Sequence, residues 1–145
     1  MSLEGSTQLA ARAIARLDEF MGSALSGRTI LVIGLGPVGS EVAQLAKQSG
    51  MWVLAVNRIG QTDLPYIDEI RTSRFLGDLL PVAHAVVLAL PLTDNTRQMI
   101  NAATITRMRL DAFVVNVGSV EVIDTVALDE AVAGGRIAGA ALDLT

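Results

Sequence analysis

A glycine-rich turn is the stretch of the sequence whose residue types and spacing point most directly to chemistry. It reads Gly34-Leu35-Gly36-Pro37-Val38-Gly39 and follows the pattern G-x-G-x-x-G. In this pattern Gly34 permits a tight turn, Gly36 lets a pyrophosphate approach the main chain, and Gly39 lets a helix pack closely on a sheet. The free N–H groups at the start of that helix bind the anion. The turn therefore predicts dinucleotide binding.

The elements on either side of the turn support this interpretation. Residues 30–33 are β-branched or aliphatic and predict a buried strand. Residues 40–48 have the apolar spacing of a helix that ends at Gly50, and residues 51–56 predict a second strand. Pro37 suits the first helical position, where its missing N–H costs nothing. The alternative is a glycine turn with a purely structural role.

Composition limits the classes of protein that the chain can belong to. Its 145 residues predict one domain over 1–145, and 51% hydrophobic residues with a mean hydropathy of +0.49 favour a parallel sheet covered on both faces. No apolar run approaches the ~20 residues of a membrane span. The net charge of −4 argues against nucleic acid or an anionic membrane as a partner. The absence of cysteine excludes disulfides and thiolate metal sites, so we expect no metal and a cytoplasmic location.

Strands alternate with helices along the rest of the chain. The predicted helices cover 7–21, 76–82, 94–99, 104–108 and 125–133, and further strands cover 84–90, 112–117 and 137–142. Asp124 is the expected N-cap of the last helix. This order predicts an α/β domain of the Rossmann type, with a doubly wound parallel sheet of about six strands and helices on both faces.

Four further segments are interpreted separately. We expect residues 1–6 to be disordered or derived from an expression vector. The helix over 7–21 has an apolar stripe that packs either on its own domain or on another subunit. Residues 61–71 read as a polar connector, and Arg74-Phe75 is at best a short strand.

Ligands of doubly wound sheets bind at the carboxyl ends of the strands, and the predicted site lies there. In an NAD-binding unit an acidic residue ends the second strand and binds the adenosine ribose. Here that position is Asn57, and Arg58 follows it. Asn57 does not repel a 2′-phosphate, and the Arg58 guanidinium can bind one with two hydrogen bonds. We therefore favour NADP over NAD; the alternative is that Arg58 is only a solvated loop residue.

Three further runs, with the glycine turn, resemble the nucleotide-binding domain of the D-isomer-specific 2-hydroxyacid dehydrogenases, a family that includes phosphoglycerate dehydrogenase and glyoxylate/hydroxypyruvate reductases. The runs are HAVVLALPLTDNTRQMIN from His84, FVVNVGSVEVID from Phe113 and GRIAGAALDLT from Gly135. The helix over 7–21 also fits. The resemblance covers nearly the whole chain and is weakest over residues 60–74.

The resemblance implies a position for each part of the cofactor. Pro37 and Val38 lie along the pyrophosphate, and Leu90 and Pro91 flank the adenosine side. The nicotinamide end is lined by Val117, Gly118 and Ser119, and Asp143 hydrogen-bonds the carboxamide. The alternative for Asp143 is a carboxylate in solvent at a strand end. The resemblance also implies a homodimer and a small 2-keto or 2-hydroxy acid as substrate.

The catalytic residues of the family are where the resemblance fails. The family needs an Arg that holds the substrate carboxylate, in a pattern like N-x-G-R-G, with a His as acid/base and a Glu that orients it. This chain reads Asn116-Val117-Gly118-Ser119, so Ser119 occupies the expected Arg position. The Glu and His come later in such proteins, and His84, the only histidine, reads as a surface residue. We therefore expect no catalytic residue and no substrate domain in this chain.

Two functions from different classes remain. The first is the cofactor-binding domain of an oxidoreductase that transfers hydride between a nicotinamide and a 2-keto or 2-hydroxy acid, inactive as this isolated chain. The second is a non-catalytic nucleotide-binding or dimerisation module in which Ser119 records the loss of catalysis. A methyltransferase would explain the glycine turn but neither PLTDNTRQMI nor ALDLT.

Overall fold

The computed structural model describes residues 3–22 and 24–142. Within these ranges the α-helices are α1 (Leu3–Phe20), α2 (Pro37–Gln48), α3 (Leu76–Leu79), α4 (Ala102–Ile105) and α5 (Thr125–Ala133). The strands are β1 (Thr29–Ile33), β2 (Trp52–Val56), β3 (Glu69–Arg71), β4 (Ala85–Leu88), β5 (Phe113–Asn116) and β6 (Gly139–Ala141). Short 3-10 turns cover Ser73–Phe75, Leu80–Val82 and Val120–Val122. Among the described helices, none has the length and apolar character that a membrane crossing needs.

The described strands form one parallel sheet in the order β3-β2-β1-β4-β5-β6. Ile33 at the end of β1 lies opposite Val56 of β2 on one side and Leu88 of β4 on the other. The chain builds outward from β1 to β3 and then returns to place β4 on the other side of β1. This reversal leaves a crevice at the carboxyl ends of β1 and β4. The predicted doubly wound sheet is confirmed.

Both faces of the sheet are covered, which explains the nearly continuous apolar runs. Ile30 and Val32 pack with α1 and α2 on one face. Leu31 and Ile33 pack on the opposite face, with α3, α4 and α5. All four side chains are 0% exposed. Since successive side chains of a strand point to opposite faces, a central strand that is buried on both faces is apolar at nearly every position.

The first helix begins earlier than the sequence predicts. It starts at Leu3, so the expectation of disorder over 1–6 is wrong for residues 3–6, and residues 1 and 2 lie outside the described residues. Ser6, in the first turns of α1, is fully buried. Ser6 has a polar side chain and Gly5 has none, so these residues add nothing to an apolar periodicity that would mark them as helical.

The apolar stripe of α1 is covered by its own domain. Leu9, Ala13 and Leu17 are at most 1% exposed and belong to the core that α1 forms with α2 and the sheet. Of the two interpretations of this helix, packing on its own domain is confirmed. Phe20 remains 44% exposed and stacks on Phe113 with ring centroids 4.0 Å apart. The stripe therefore supplies no argument for a homodimer, which stays a prediction.

The sheet contains a strand that the sequence did not predict. β3 (Glu69–Arg71) lies in the segment read as a polar connector, whereas Arg74 and Phe75 lie in a 3-10 turn and not in a strand. Asp68 sets the position of β3: its N–H donates to Val53 O at 2.9 Å, and its carboxylate accepts from Val53 N at 2.8 Å. Lys47 holds the same carboxylate at 2.7 Å. Because polar contacts hold this edge strand in place, its sequence has no alternation of apolar and polar residues from which a strand could be predicted.

The predicted helix over 94–99 is also wrong, because that segment forms turns. The Thr96 hydroxyl accepts a hydrogen bond from Thr93 N at 2.8 Å and donates to Pro91 O at 2.9 Å. Threonine side chains that bond to nearby main chain in this way compete with helical hydrogen bonds. The next helix, α4, begins at Ala102 behind a capping box of Asn101 and Thr104. For α5, the predicted N-cap Asp124 is confirmed, with its side chain accepting from Ala127 N.

Candidate dinucleotide site

The glycine turn joins β1 to α2, and two of its glycines are required by contacts within the fold. Gly34 has φ +101°, a conformation that L side chains rarely adopt, and its N–H donates to Val56 O at 2.8 Å. At Gly39 a Cβ atom would lie 1.8 Å from Gly34 O, closer than any side chain permits. Gly39 therefore allows α2 to start directly against the end of β1, as the sequence predicts.

Gly36 differs from the other two, because a Cβ added there would meet nothing within 4 Å. The fold itself does not require a glycine at this position. Gly36 is the N-cap of α2, and Pro37 occupies the first turn as expected. The N–H groups of Val38 and Gly39 donate no hydrogen bond to any described residue. Open space beside Gly36 and unused donors at a helix N-terminus are what a bound pyrophosphate needs.

The end of β2 carries the two residues predicted to select the cofactor. Asn57 is used by its own loop: its Oδ1 accepts from Gly60 N at 2.6 Å, and its Nδ2 donates to Gln61 O at 2.8 Å. Asn57 thereby holds the loop that presents Arg58. The Arg58 side chain is exposed and forms no hydrogen bond or ion pair with the described part of the chain. Its guanidinium is consequently available to a ligand.

On the other side of the crevice, the turn after β5 lies directly on the segment after β4. Val117 N and Gly118 N donate to Leu88 O at 2.8 and 3.1 Å, and Ser119 N donates to Leu90 O at 3.1 Å. A Cβ at Gly118 would lie 2.4 Å from Leu90 O, so this glycine permits the close approach. Pro91, next along the chain, is exposed. The structure thus brings together the predicted residues of Leu90-Pro91 and 117–119.

Ser119 takes part in a local turn. Its Oγ accepts a hydrogen bond from Glu121 N at 3.4 Å, and Glu121 in turn binds Arg97 at 2.6 Å. A hydroxyl engaged in this way offers no bidentate grip on a carboxylate. Arg97, a guanidinium near the Ser119 turn, could not be located from the sequence, because its partner Glu121 is 24 residues away. Its charge is already compensated by Glu121.

His84 directly precedes β4, so it lies at the amino ends of the strands, opposite the crevice. Its Nδ1 accepts a hydrogen bond from the N–H of Thr29, the first residue of β1, at 3.0 Å. Burial, with the positive charge of Arg109, lowers the pKa of His84 below its ordinary value of 6.5. His84 therefore stabilises the start of β1 and is too far along the strands to serve the glycine turn. Asp143, the other polar group predicted at a strand end, lies outside the described residues.

Two concavities on the described surface lie away from the glycine turn. One has a volume of about 530 Å³ and is lined in part by Thr29, Trp52, Phe75 and Val82. The other, of about 340 Å³, is lined by residues that include Arg97, Glu121 and Asp124. Neither concavity therefore bears on the predicted dinucleotide site.

The strand order and the glycine turn together define a Rossmann-type dinucleotide-binding domain. Comparison with known proteins identifies the family. The family described as "D-isomer specific 2-hydroxyacid dehydrogenase, NAD binding domain" matches residues 3–145. The chain therefore belongs to the D-isomer-specific 2-hydroxyacid dehydrogenases, as their NAD-binding domain, and the predicted resemblance is confirmed.

Individual relatives agree with this assignment. The glyoxylate reductase of Thermococcus onnurineus is 39% identical over 127 residues, which are 86% of this chain and 37% of the relative. The D-3-phosphoglycerate dehydrogenase of Bacillus subtilis is 34% identical over 86% of this chain and 24% of that protein. The structure of D-lactate dehydrogenase with NAD+ from Lactobacillus jensenii superimposes with a TM-score of 0.84 at 28% identity, covering 98% of this chain and 48% of that one. The chain thus spans between a quarter and a half of these relatives.

Proposed function

We propose that this chain binds a nicotinamide dinucleotide across the crevice between β1 and β4, as the cofactor-binding domain of an oxidoreductase acting on 2-hydroxy or 2-keto acids. The observation that carries the proposal is the open main chain at Gly36 with the unused N–H groups of Val38 and Gly39. In sheets with this strand order, one half of the dinucleotide lies on each side of the reversal. When bound, the cofactor would supply or accept the hydride.

The two halves of the cofactor meet different residues in this proposal. The adenosine half lies over β1, β2 and β3, beside Asn57 and Arg58. The nicotinamide half lies over β4, β5 and β6, beside the turn 117–119. The carbonyl oxygens of Val117 and Gly118 accept no hydrogen bond from the described residues, so they are available to a carboxamide N–H. Leu90 and Pro91 stay predicted ligands between the two halves, and Asp143 stays a predicted carboxamide ligand.

We propose further that the site prefers NADP(H) to NAD(H), and this preference rests on Arg58. An exposed guanidinium with no other partner can form two charge-assisted hydrogen bonds with a 2′-phosphate. Since the Arg58 side chain is exposed, the gain in affinity lies at the low end of such interactions, roughly tenfold in Kd. The alternative, that Arg58 is only solvated, would give equal affinities or the preference for NAD that the family's description suggests.

Calorimetric titration of the purified protein with NADPH and NADH tests this preference. Arg58→Ala should weaken NADPH binding roughly tenfold and leave NADH binding unchanged. Arg109→Ala is the control for loss of an arginine elsewhere, because Arg109 is half-buried, pairs with Asp111 and lies near His84, at the opposite end of the strands. Equal or tighter binding of NADH by the unmodified protein would reject the preference without affecting dinucleotide binding itself.

We propose further that the 145-residue chain does not reduce 2-keto acids by itself. Hydride transfer requires a clamped substrate carboxylate and a proton donor at the carbonyl oxygen. Ser119 cannot provide the clamp, and His84 is on the wrong edge of the sheet. Incubation with NADPH or NADH and glyoxylate, hydroxypyruvate or pyruvate should give no loss of absorbance above a blank. Turnover that Ser119→Ala abolishes would show that the active site has been placed wrongly.

A second candidate function is a nucleotide-binding or dimerisation module without catalysis. Two observations favour this candidate over an enzyme in which another residue replaces the missing arginine. The Ser119 hydroxyl is used within its own turn, and Arg97 is paired with Glu121. The open reading frame on both sides of this chain would separate the two, because a substrate domain carrying Glu and His supports the enzyme. The homodimer and the cytoplasmic location also stay predictions, and sedimentation at micromolar concentration tests the first.

A further inference from the structure

Asn116, the last residue of β5, is a buried polar side chain that the proposed function does not use directly. It is 1% exposed, and of the described polar and charged residues only Ser6 is buried as deeply. An unpaired amide at this depth would be costly, so its partners identify what it does. It lies at the carboxyl end of the sheet, where the strand leads into the turn 117–119.

Both ends of the Asn116 amide bind the main chain of that turn. Its Oδ1 accepts from Gly118 N at 2.9 Å, and its Nδ2 donates to Ser119 O at 3.0 Å. The amide thus bridges a donor and an acceptor on consecutive residues, which fixes the orientation of the peptide groups between them. An aspartate or a hydrophobic residue of similar size could not make both bonds.

These bonds explain which groups the turn leaves free. The N–H groups of Val117, Gly118 and Ser119 are all used, by Leu88 O, by Asn116 and by Leu90 O. The Ser119 carbonyl accepts from Asn116 Nδ2 at 3.0 Å and from Val122 N at 3.3 Å, so the carbonyls of Val117 and Gly118 are the acceptors that remain free of described partners. Without the Asn116 amide, Gly118 N would keep only its bond to Leu88 O at 3.1 Å and the Ser119 carbonyl only its bond from Val122 N at 3.3 Å, so the peptide groups between them would be held less firmly.

We propose that Asn116 is a positioning residue for the nicotinamide half of the site: it acts through the turn 117–119 and contacts no ligand itself. This inference rests on the proposed dinucleotide binding. It predicts that loss of the Asn116 amide has different effects on the affinities for the two halves of the cofactor. Affinity for the whole dinucleotide falls, while affinity for the adenylate half, which lies over β1 to β3, does not change. A general loss of stability would not produce this difference.

The test uses the purified chain and the dinucleotide that binds it more tightly, with the matching fragment: 2′,5′-ADP for NADPH or AMP for NADH. Asn116→Ala should weaken the dinucleotide roughly tenfold and leave the fragment within about twofold. The matched control is Asn101→Ala. Asn101 also bonds main chain at both ends of its amide, to Thr104 N and Gln98 O, but it caps α4. The control should lose stability and keep both affinities.

Two outcomes overturn the inference in a folded variant: the dinucleotide binds as tightly as before, or the fragment weakens as much as the dinucleotide. If Asn116→Ala does not fold, Gly118→Ala displaces the same turn from outside, since its Cβ would lie 2.4 Å from Leu90 O, and it must show the same difference. If the unmodified protein binds fragment but no dinucleotide, the inference also fails. Binding of neither ligand would instead reject the proposed function, and the inference with it.

Discussion

Replacement of Gly36 by valine should abolish nucleotide binding without disturbing the fold. Gly36 has φ −70° and ψ −165°, an extended conformation that any residue adopts, and a Cβ there would touch nothing within 4 Å. It caps α2 without a side-chain hydrogen bond, so the valine removes no cap interaction. We expect the free energy of unfolding to change by less than about 1 kcal/mol.

The loss of binding follows from what the valine would occupy. Its branched side chain fills the space beside the N–H groups of Val38 and Gly39, where the pyrophosphate would lie. Charge-assisted hydrogen bonds contribute about 1.5–3 kcal/mol each. Loss of two of them amounts to about 3–6 kcal/mol, which corresponds to a Kd weakened roughly 10²- to 10⁴-fold.

The assay combines nucleotide titration with urea denaturation of the same preparations. Gly77→Ala is the matched control, because its Cβ would make only ordinary contacts, 3.7 Å from Arg107, far from the glycine turn in sequence. Gly39→Ala supplies the contrast: with a Cβ 1.8 Å from Gly34 O it should destabilise the fold. A normally folded Gly36→Val variant that binds the dinucleotide within about twofold of the unmodified protein would show that the site has been assigned wrongly.

Three further predictions concern stability. Leu17→Ala in α1 should lower the free energy of unfolding by about 2–5 kcal/mol in urea denaturation, because Leu17 is 0% exposed within its own domain. The control is Arg12→Ala, at an exposed position of the same helix. A small loss of stability accompanied by dissociation of a dimer would contradict this packing. Asp68→Ala should cost about 1–3 kcal/mol, since it leaves Val53 N without its side-chain acceptor and Lys47 without its carboxylate; an unchanged denaturation midpoint would refute this. Because the pKa of His84 is lowered in the folded chain, the unfolded chain binds a proton at this residue more readily, and the free energy of unfolding should fall as the pH drops below 6.5. In His84→Asn this contribution to the pH dependence of stability should be lost. The same pH dependence in the variant and the unmodified protein would assign it to other groups.

The residues of the central strands determine the fold class without help from tertiary contacts. Ile30 to Ile33 are apolar at every position, which is compatible only with burial on both faces, and the glycine pattern follows at once. Apolar spacing located α2, which begins at Pro37, and end signals located α5, with Asp124 as its N-cap and Gly134 after its last residue. These features are local, so a single sequence contains them in full.

Elements that depend on distant partners were not predictable in this way. β3 is held at the sheet edge by Asp68, whose partners Val53 and Lys47 are 15 and 21 residues away. The apolar stripe of α1 is the same whether α2 or another subunit covers it, and only the packed domain shows that Leu17 is already buried. Periodicity indicates that a face needs a partner but not which partner it meets.

The same distinction between local features and distant contacts applies to the residues of the candidate site. The glycine turn and the Asn57-Arg58 pair follow from residue types at fixed spacing, whereas Ser119 in place of an arginine follows from the resemblance to the family. Only the folded chain shows that Asn57 is engaged by its own loop, that His84 lies at the amino end of β4, and that Asn116 binds the turn after β5. The physical reason is that a hydrogen bond depends on where folding brings a donor and an acceptor, and side-chain chemistry fixes only which of the two a residue can be.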